Sequence, residues 1–216
     1  MCDPIDDPDL YVRVAEENRL NLRYVIDTHL HADHVSGGRR LAEISGAEYV
    51  LHESADTQYA FRRVRDGEVL ALGNVKIQVL HTPGHTPEHI SLLVTDETRG
   101  PEPWFLLTGH TLMVGDVGRT ELATQPKIGA RQLFETIQRL KKFPEYLEIL
   151  PGAYAGSVCG RALSGKAIST IGFERRFNRA FHFDAVEPFV AFMLENIPAP
   201  PPDAAVVRAL NQGRAE

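Results

Sequence analysis

Residues 28–34 read Thr-His-Leu-His-Ala-Asp-His, which puts His29, His31, Asp33 and His34 within six positions. A solvated charge run uses lysine and glutamate, and a core segment does not bury several imidazoles without partners. Neutral imidazole and carboxylate together suit zinc, iron and related divalent metals. The competing reading, a polar loop capping a helix, loses to the histidines that follow. His85 lies in His81-Thr-Pro-Gly-His85-Thr-Pro-Glu-His89, and His110 in Thr108-Gly-His110-Thr. Eight of the nine histidines lie between positions 29 and 110, so the enrichment is regional rather than a bias of the whole chain.

Each of these segments follows an apolar run. Tyr24-Val-Ile-Asp27 precedes the first cluster. Val75-Lys-Ile-Gln-Val-Leu80 alternates with period two, and Trp104-Phe-Leu-Leu-Thr108 reads as a buried strand. Three strands thus deliver three histidine-bearing loops, and a rigid scaffold of strand ends can converge ligands from distant sequence. Further strands are expected at Tyr49–Leu51, Glu68–Leu72, His89–Val94 and Tyr146–Leu150. Helices are expected over Asp9–Leu20, over Ser36–Ile44 with Ser36 as N-cap, over Gly129–Phe143, Ser169–Arg179 and Val186–Glu195. The Pro-rich stretch from Pro198 starts a linker-like tail, 198–216, after a domain over 1–197.

The chain has 216 residues, enough for one large domain with a tail, and 43% hydrophobic residues, enough for a packed core. A net charge of −6 with no basic stripe argues against nucleic acid as a partner. No apolar run approaches the roughly eighteen residues of a membrane span, so no membrane partner is expected. The acidic start lacks a signal-peptide core, and Cys2 and Cys159 are too few and too far apart for a disulfide framework. A reducing cytoplasm is the expected compartment.

The order His-x-His-x-Asp-His, then Thr-Pro-Gly-His, then Thr-Gly-x-Thr-Leu after a strand resembles the metallo-β-lactamase superfamily. Gly115-Asp-Val-Gly-Arg119-Thr-Glu121-Leu, Gly156-Ser-Val-Cys159-Gly and Ser169–Asn178 resemble its persulfide dioxygenase-like branch, related to glyoxalase II and including members fused to rhodanese domains. The resemblance covers about Asp3–Asn196. It implies an α/β fold, the αββα sandwich, with a metal at the sheet edge. Three departures stand out. His110 occupies the position of the branch's aspartate. Ala153 stands where relatives carry a histidine. The first strand pair of relatives precedes the residues that match here, so one sheet is expected to expose an edge, and edges pair with other chains. A homo-oligomer is the expectation.

A dinuclear hydrolase needs a bridging carboxylate and ligands for both ions. The resemblance therefore implies one divalent metal, iron(II) ahead of zinc, held by His29, His85 and His110, which are also the catalytic set. His31, Asp33 and His34 are further ligands or partners that orient the ligands. The implied substrate is a small thiol or glutathione-derived persulfide, with a rhodanese in trans as a partner. Arg119 is a candidate for its carboxylate, with an ion pair to Glu121 or Asp116 as the structural alternative. Cys159, Arg175 and Arg176 are weaker substrate-binding candidates, more simply a buried thiol and a solvated helix face. The leading function is persulfide oxidation. The alternatives are a hydroxyacylglutathione hydrolase-like thioesterase and a scaffold that kept the fold without the chemistry.

Overall fold

The computed structural model describes residues 1–161, 163–195, 197 and 199–214. The chain divides into two compact units, residues 1–64 with the C-terminal segment from Pro201, and residues 65–200. Ala162, Asn196, Pro198, Ala215 and Glu216 lie outside the described residues, and with them the expected start of the linker at Pro198.

The first unit is built on three parallel strands in the order β1 (Tyr24–Ile26), β2 (Glu48–His52) and β3 (Arg62–Val64). Parallel neighbours need a crossover. Helix α2 (Gly38–Ser45) makes it between β1 and β2, ending at Gly46 in the left-handed conformation. Ser36 is not the N-cap expected. Gly37 is, because the Ser36 hydroxyl donates to Asp27 Oδ2 (2.6 Å) while accepting from the Gly38 N–H (2.9 Å). Helix α1 (Pro8–Glu17) starts with Pro8 in its first turn and is capped by Asp7. Val25, Leu30, Leu41, Leu51 and Tyr49 form the core.

The chain's first residues lie along the outer edge of β1. Residues 1–3 run parallel to it, with a bridge between Cys2 and Ile26 and backbone bonds from Asp3 N–H to the Ile26 oxygen (2.9 Å) and from Ile26 N–H to the Met1 oxygen (3.0 Å). Those edge donors and acceptors are satisfied within the chain. The segment read as a tail also holds structure. Residues Ala204–Asn211 form helix α6, and Asn211 is buried in this unit.

The second unit carries a six-stranded mixed sheet. Its strands are β4 (Val69–Leu72), β5 (Val75–His81), β6 (Ile90–Asp96), β7 (Phe105–Gly109), β10 (Glu148–Pro151) and β11 (Ser169–Thr170), in the order β11-β10-β7-β6-β5-β4. A two-stranded ribbon, β8 (Leu112–Met113) and β9 (Asp116–Val117), follows β7. Helix α3 (Pro126–Leu140) then crosses to β10, which pairs parallel with β7. Ala130, Leu133, Ile137 and Leu140 are fully buried in its core with Leu106, Ile149 and Phe189. Full burial of a side chain such as Leu133 contributes about 1.5–3 kcal/mol. Helices α4 (Ile171–Phe177) and α5 (Val186–Leu194) complete the unit, with a short 3₁₀ turn at Arg179–His182.

This topology sets where the histidines fall. β5 and β7 both run antiparallel to β6, with His81 opposite Ile90 and Leu92 opposite Leu107. The segments after β5 and β7 therefore emerge at one end of the sheet. Because β10 is parallel to β7, with Pro151 opposite Gly109, its end emerges there too. No helix among the described residues is long and apolar enough to cross a membrane.

Candidate metal centre

In the first unit Asp27 follows the end of β1, and the loop beyond it carries the four ligand-type residues. The Thr28 hydroxyl lies 2.9 Å from Asp3 Oδ2 and 2.9 Å from His29 Nδ1, and the Thr28 N–H donates to Asp3 Oδ1 at 2.6 Å. A carboxylate is only an acceptor, so the Thr28 proton points at Asp3. Its oxygen then accepts from His29 Nδ1–H, which leaves the Nε2 lone pair of His29 for a metal. His29 is buried, 1% exposed.

His31 differs. Its Nε2 is 3.1 Å from Asp3 Oδ1 and its Nδ1 3.5 Å from Asp33 Oδ1. Burial alone would depress its pKa, but Asp3, Asp33 and Asp27 together raise it to about 10. His31 is thus held between the Asp3 and Asp33 carboxylates. Asp33 Oδ1 also faces His34 Nδ1 at 3.2 Å. Ligand atoms of His31, Asp33 and His34 all lie within 4.8 Å of one another. Burial pushes the Asp27 carboxyl up, against the attraction of His31 and bonds from Ser36 and Tyr49.

In the second unit His85 and His110 come together, with ring nitrogens within 4.8 Å and ring centroids 5.3 Å apart. His85 Nδ1 is 2.7 Å from the Arg119 carbonyl oxygen. That acceptor holds the proton on Nδ1 and again presents Nε2. His89, ambiguous in the sequence, is a support rather than a ligand. It is fully buried, and its Nε2 accepts from the His110 backbone N–H at 3.1 Å. Its Nδ1 lies 2.9 Å from the Thr82 and 3.0 Å from the Thr111 hydroxyl. Ala153 is buried beside the end of β10. A Cβ placed at the neighbouring Gly152 would lie 3.3 Å from the His110 ring.

Two imidazoles held as Nε2 donors, with carboxylate and carbonyl partners behind them, fit a divalent metal of the zinc or iron kind. The other sequence candidates have structural partners. Arg119, 4% exposed, is ion-paired to Glu121 and donates to the Val158 carbonyl (3.2 Å). Arg175 bonds the Lys141 and Phe143 carbonyls past the end of α3 and pairs with Glu145 (3.1 Å). These contacts serve a helix end, whose open carbonyls need donors. Arg176 lies over the Phe177 ring at 5.3 Å. Cys159 is buried, with its sulfur within 4.8 Å of a His110 ring nitrogen. His52, His81 and His182 bond Ser54, the Pro87 carbonyl and the Arg176 carbonyl.

The metallo-beta-lactamase superfamily matches residues 6–152, and the chain belongs to that superfamily. A metallo-beta-lactamase from Staphylococcus aureus subsp. aureus COL is similar over 100% of this chain and 65% of its own, with a TM-score of 0.93 and 36% identity. ETHE1 from Myxococcus xanthus is similar over 99% of this chain and 87% of its own, with a TM-score of 0.80 and 30% identity. A hydroxyacylglutathione hydrolase from Idiomarina loihiensis is 32% identical over 129 residues, 60% of this chain. The chain spans 46% of that hydrolase's length. These likenesses support the branch that joins persulfide dioxygenases and glyoxalase II.

Proposed function

We propose that the chain is a single-metal enzyme of the persulfide dioxygenase type. It oxidises the terminal sulfur of a glutathione-derived or similar small persulfide to sulfite, with dioxygen as oxidant, water as the third oxygen donor and the thiol released. His29, His85 and His110 would hold the metal, iron(II) in preference to zinc. The metal supplies open coordination positions and the activation of oxygen. The chain supplies the rest. Asp3 acting through Thr28, and the Arg119 carbonyl, orient two imidazoles, and His89 holds the backbone at His110.

The observation that carries this reading is the pairing of His110 with the buried methyl of Ala153 at adjoining strand ends. Residue 110 is an imidazole rather than a carboxylate and residue 153 a methyl rather than an imidazole, which disfavours the ligand set of a two-metal hydrolase. The likeness to ETHE1 along 87% of that chain supports the same branch. The thioesterase reading draws on the identity to the Idiomarina hydrolase. Metal analysis of protein purified without added metal, with oxygen uptake on glutathione persulfide and hydrolysis of a hydroxyacylglutathione, separates them. One iron per chain and persulfide-dependent uptake are expected. Two zincs with thioester hydrolysis would establish the hydrolase, and no metal with no turnover would leave a scaffold.

A further inference from the structure

The loop that carries His29, His31, Asp33 and His34 has no helix or strand of its own to satisfy its backbone. Buried backbone groups still need partners. Four of them are met from one face of α6, at the far end of the sequence. Asn211 Nδ2 donates to the carbonyl oxygens of His31 (2.9 Å) and His34 (2.9 Å). Asn211 Oδ1 accepts from the Ser36 N–H at 2.9 Å. Arg208 Nη1 donates to the Leu30 carbonyl at 2.6 Å. Residues three apart on a helix share a face, so both side chains meet the loop together. Asn211 is 7% exposed, and its own carbonyl accepts from the Tyr59 hydroxyl.

The match is chemically specific. A primary amide offers two donors and an acceptor on one planar group, and all three are used here. Aspartate has the same shape but would set oxygen against two carbonyl oxygens. Arg208 adds a charge-assisted bond one residue after His29. The loop is clamped on both sides of Asp33, at His31 and His34, and again next to His29. The geometry points to Asn211 and Arg208 as positioning residues of the metal loop, so that α6 sets the metal affinity without touching the metal. This rests on the reading of the loop as metal-binding.

The test titrates cobalt(II) into metal-free full-length protein and its variants, following visible ligand-field absorption and competition with a chelator. Asn211→Asp is expected to lower the cobalt affinity about ten- to a hundredfold, the range typical of lost outer partners, and to change the absorption bands. Arg208→Ala should weaken binding in the same direction. Arg214→Ala, which removes an exposed pair with Asp56, should leave affinity and spectrum unchanged. Folded Asn211→Asp protein with wild-type affinity and spectrum would overturn the proposal. If Asn211→Asp fails to fold, Arg208→Ala decides, and unchanged binding there overturns it equally. Wild-type protein that takes up no cobalt, zinc or iron would overturn the metal reading as well. Wild-type uptake with indifferent variants overturns this inference alone.

Discussion

At the scale of single residues, His110 is the position on which the chemistry turns. An imidazole where relatives carry aspartate makes the proposed ligand set three neutral histidines and leaves it one negative charge short. An anionic ligand would favour an oxygen-activating iron more than a neutral imidazole would. His110→Asp is therefore expected to raise iron retained through purification and persulfide-dependent oxygen uptake, both severalfold. Ala153→His alone should raise neither, because it adds a ligand for a second ion. Elemental analysis and an oxygen electrode check both. If the double variant instead loads zinc and cleaves a thioester, the hydrolase reading prevails. The candidate ligands stand out in the sequence because histidines at such spacing have few other uses. Their supports do not. Asp3 reaches His29 through Thr28, and His85 is oriented by a main-chain carbonyl, which any residue at position 119 could provide. For Arg119 the sequence offered Glu121 and Asp116 alike as ion-pair partners, and only the fold shows that Glu121 is the one it meets.

At the scale of elements, the turn that presents His85 depends on a close approach to α3. Gly84 has φ +141°, and a Cβ there would lie 2.5 Å from Leu133 Cβ and 2.6 Å from its Cα. Backbone cannot yield as a flexible side chain can. Gly84→Ala is expected to cost about 2–4 kcal/mol, combining strain at a glycine-only conformation with overpacking. The check is a lower urea midpoint at unchanged m. A second tie joins the same elements. Asp66 Oδ1 accepts from Arg139 Nη1 (2.7 Å) and from the His81 N–H (2.8 Å), pinning the end of β5 to the last turn of α3. Burial pushes the Asp66 carboxyl up, but these bonds outweigh it and hold its pKa below 3.8. A depressed folded-state pKa stabilises above the unfolded value and is lost as pH falls through the folded one. Asp66 is half exposed, so the tie is worth at most about 1 kcal/mol. Asp66→Asn should lower stability at pH 7 by that order, with the gap to wild type closing below pH 3.8 in paired urea melts.

The strands with clear alternation or long apolar runs, β5 and β7 among them, were readable. So was α3, though it starts three residues earlier than its apolar face suggested because Pro126 opens it. β8, β9 and β11 are two residues each, too short for any period, and exist by pairing with neighbours. α6 was hidden by the prolines before it, although Asp203 followed by Val207 and Leu210 was a usable signal.

At the scale of the whole molecule, the proposed ligands come from positions 29, 85 and 110, far apart in the chain. An ion that binds them only in the folded protein must therefore stabilise the fold by mass action. At a free metal concentration near a hundred times Kd the gain is about 2.7 kcal/mol. For a chain of this length that corresponds to a rise in Tm of about 5–11 °C. The rise should appear with iron(II) under anaerobic conditions, follow the logarithm of metal concentration and reverse on adding chelator. His29→Ala should abolish the rise whatever it does to the metal-free Tm, so the shift and not the absolute value is the readout. The same melts bear on the rival readings. A hydrolase would show its dependence with zinc at two equivalents. A scaffold would melt at one temperature with or without any divalent metal, and that result would end the case for an enzyme at this site.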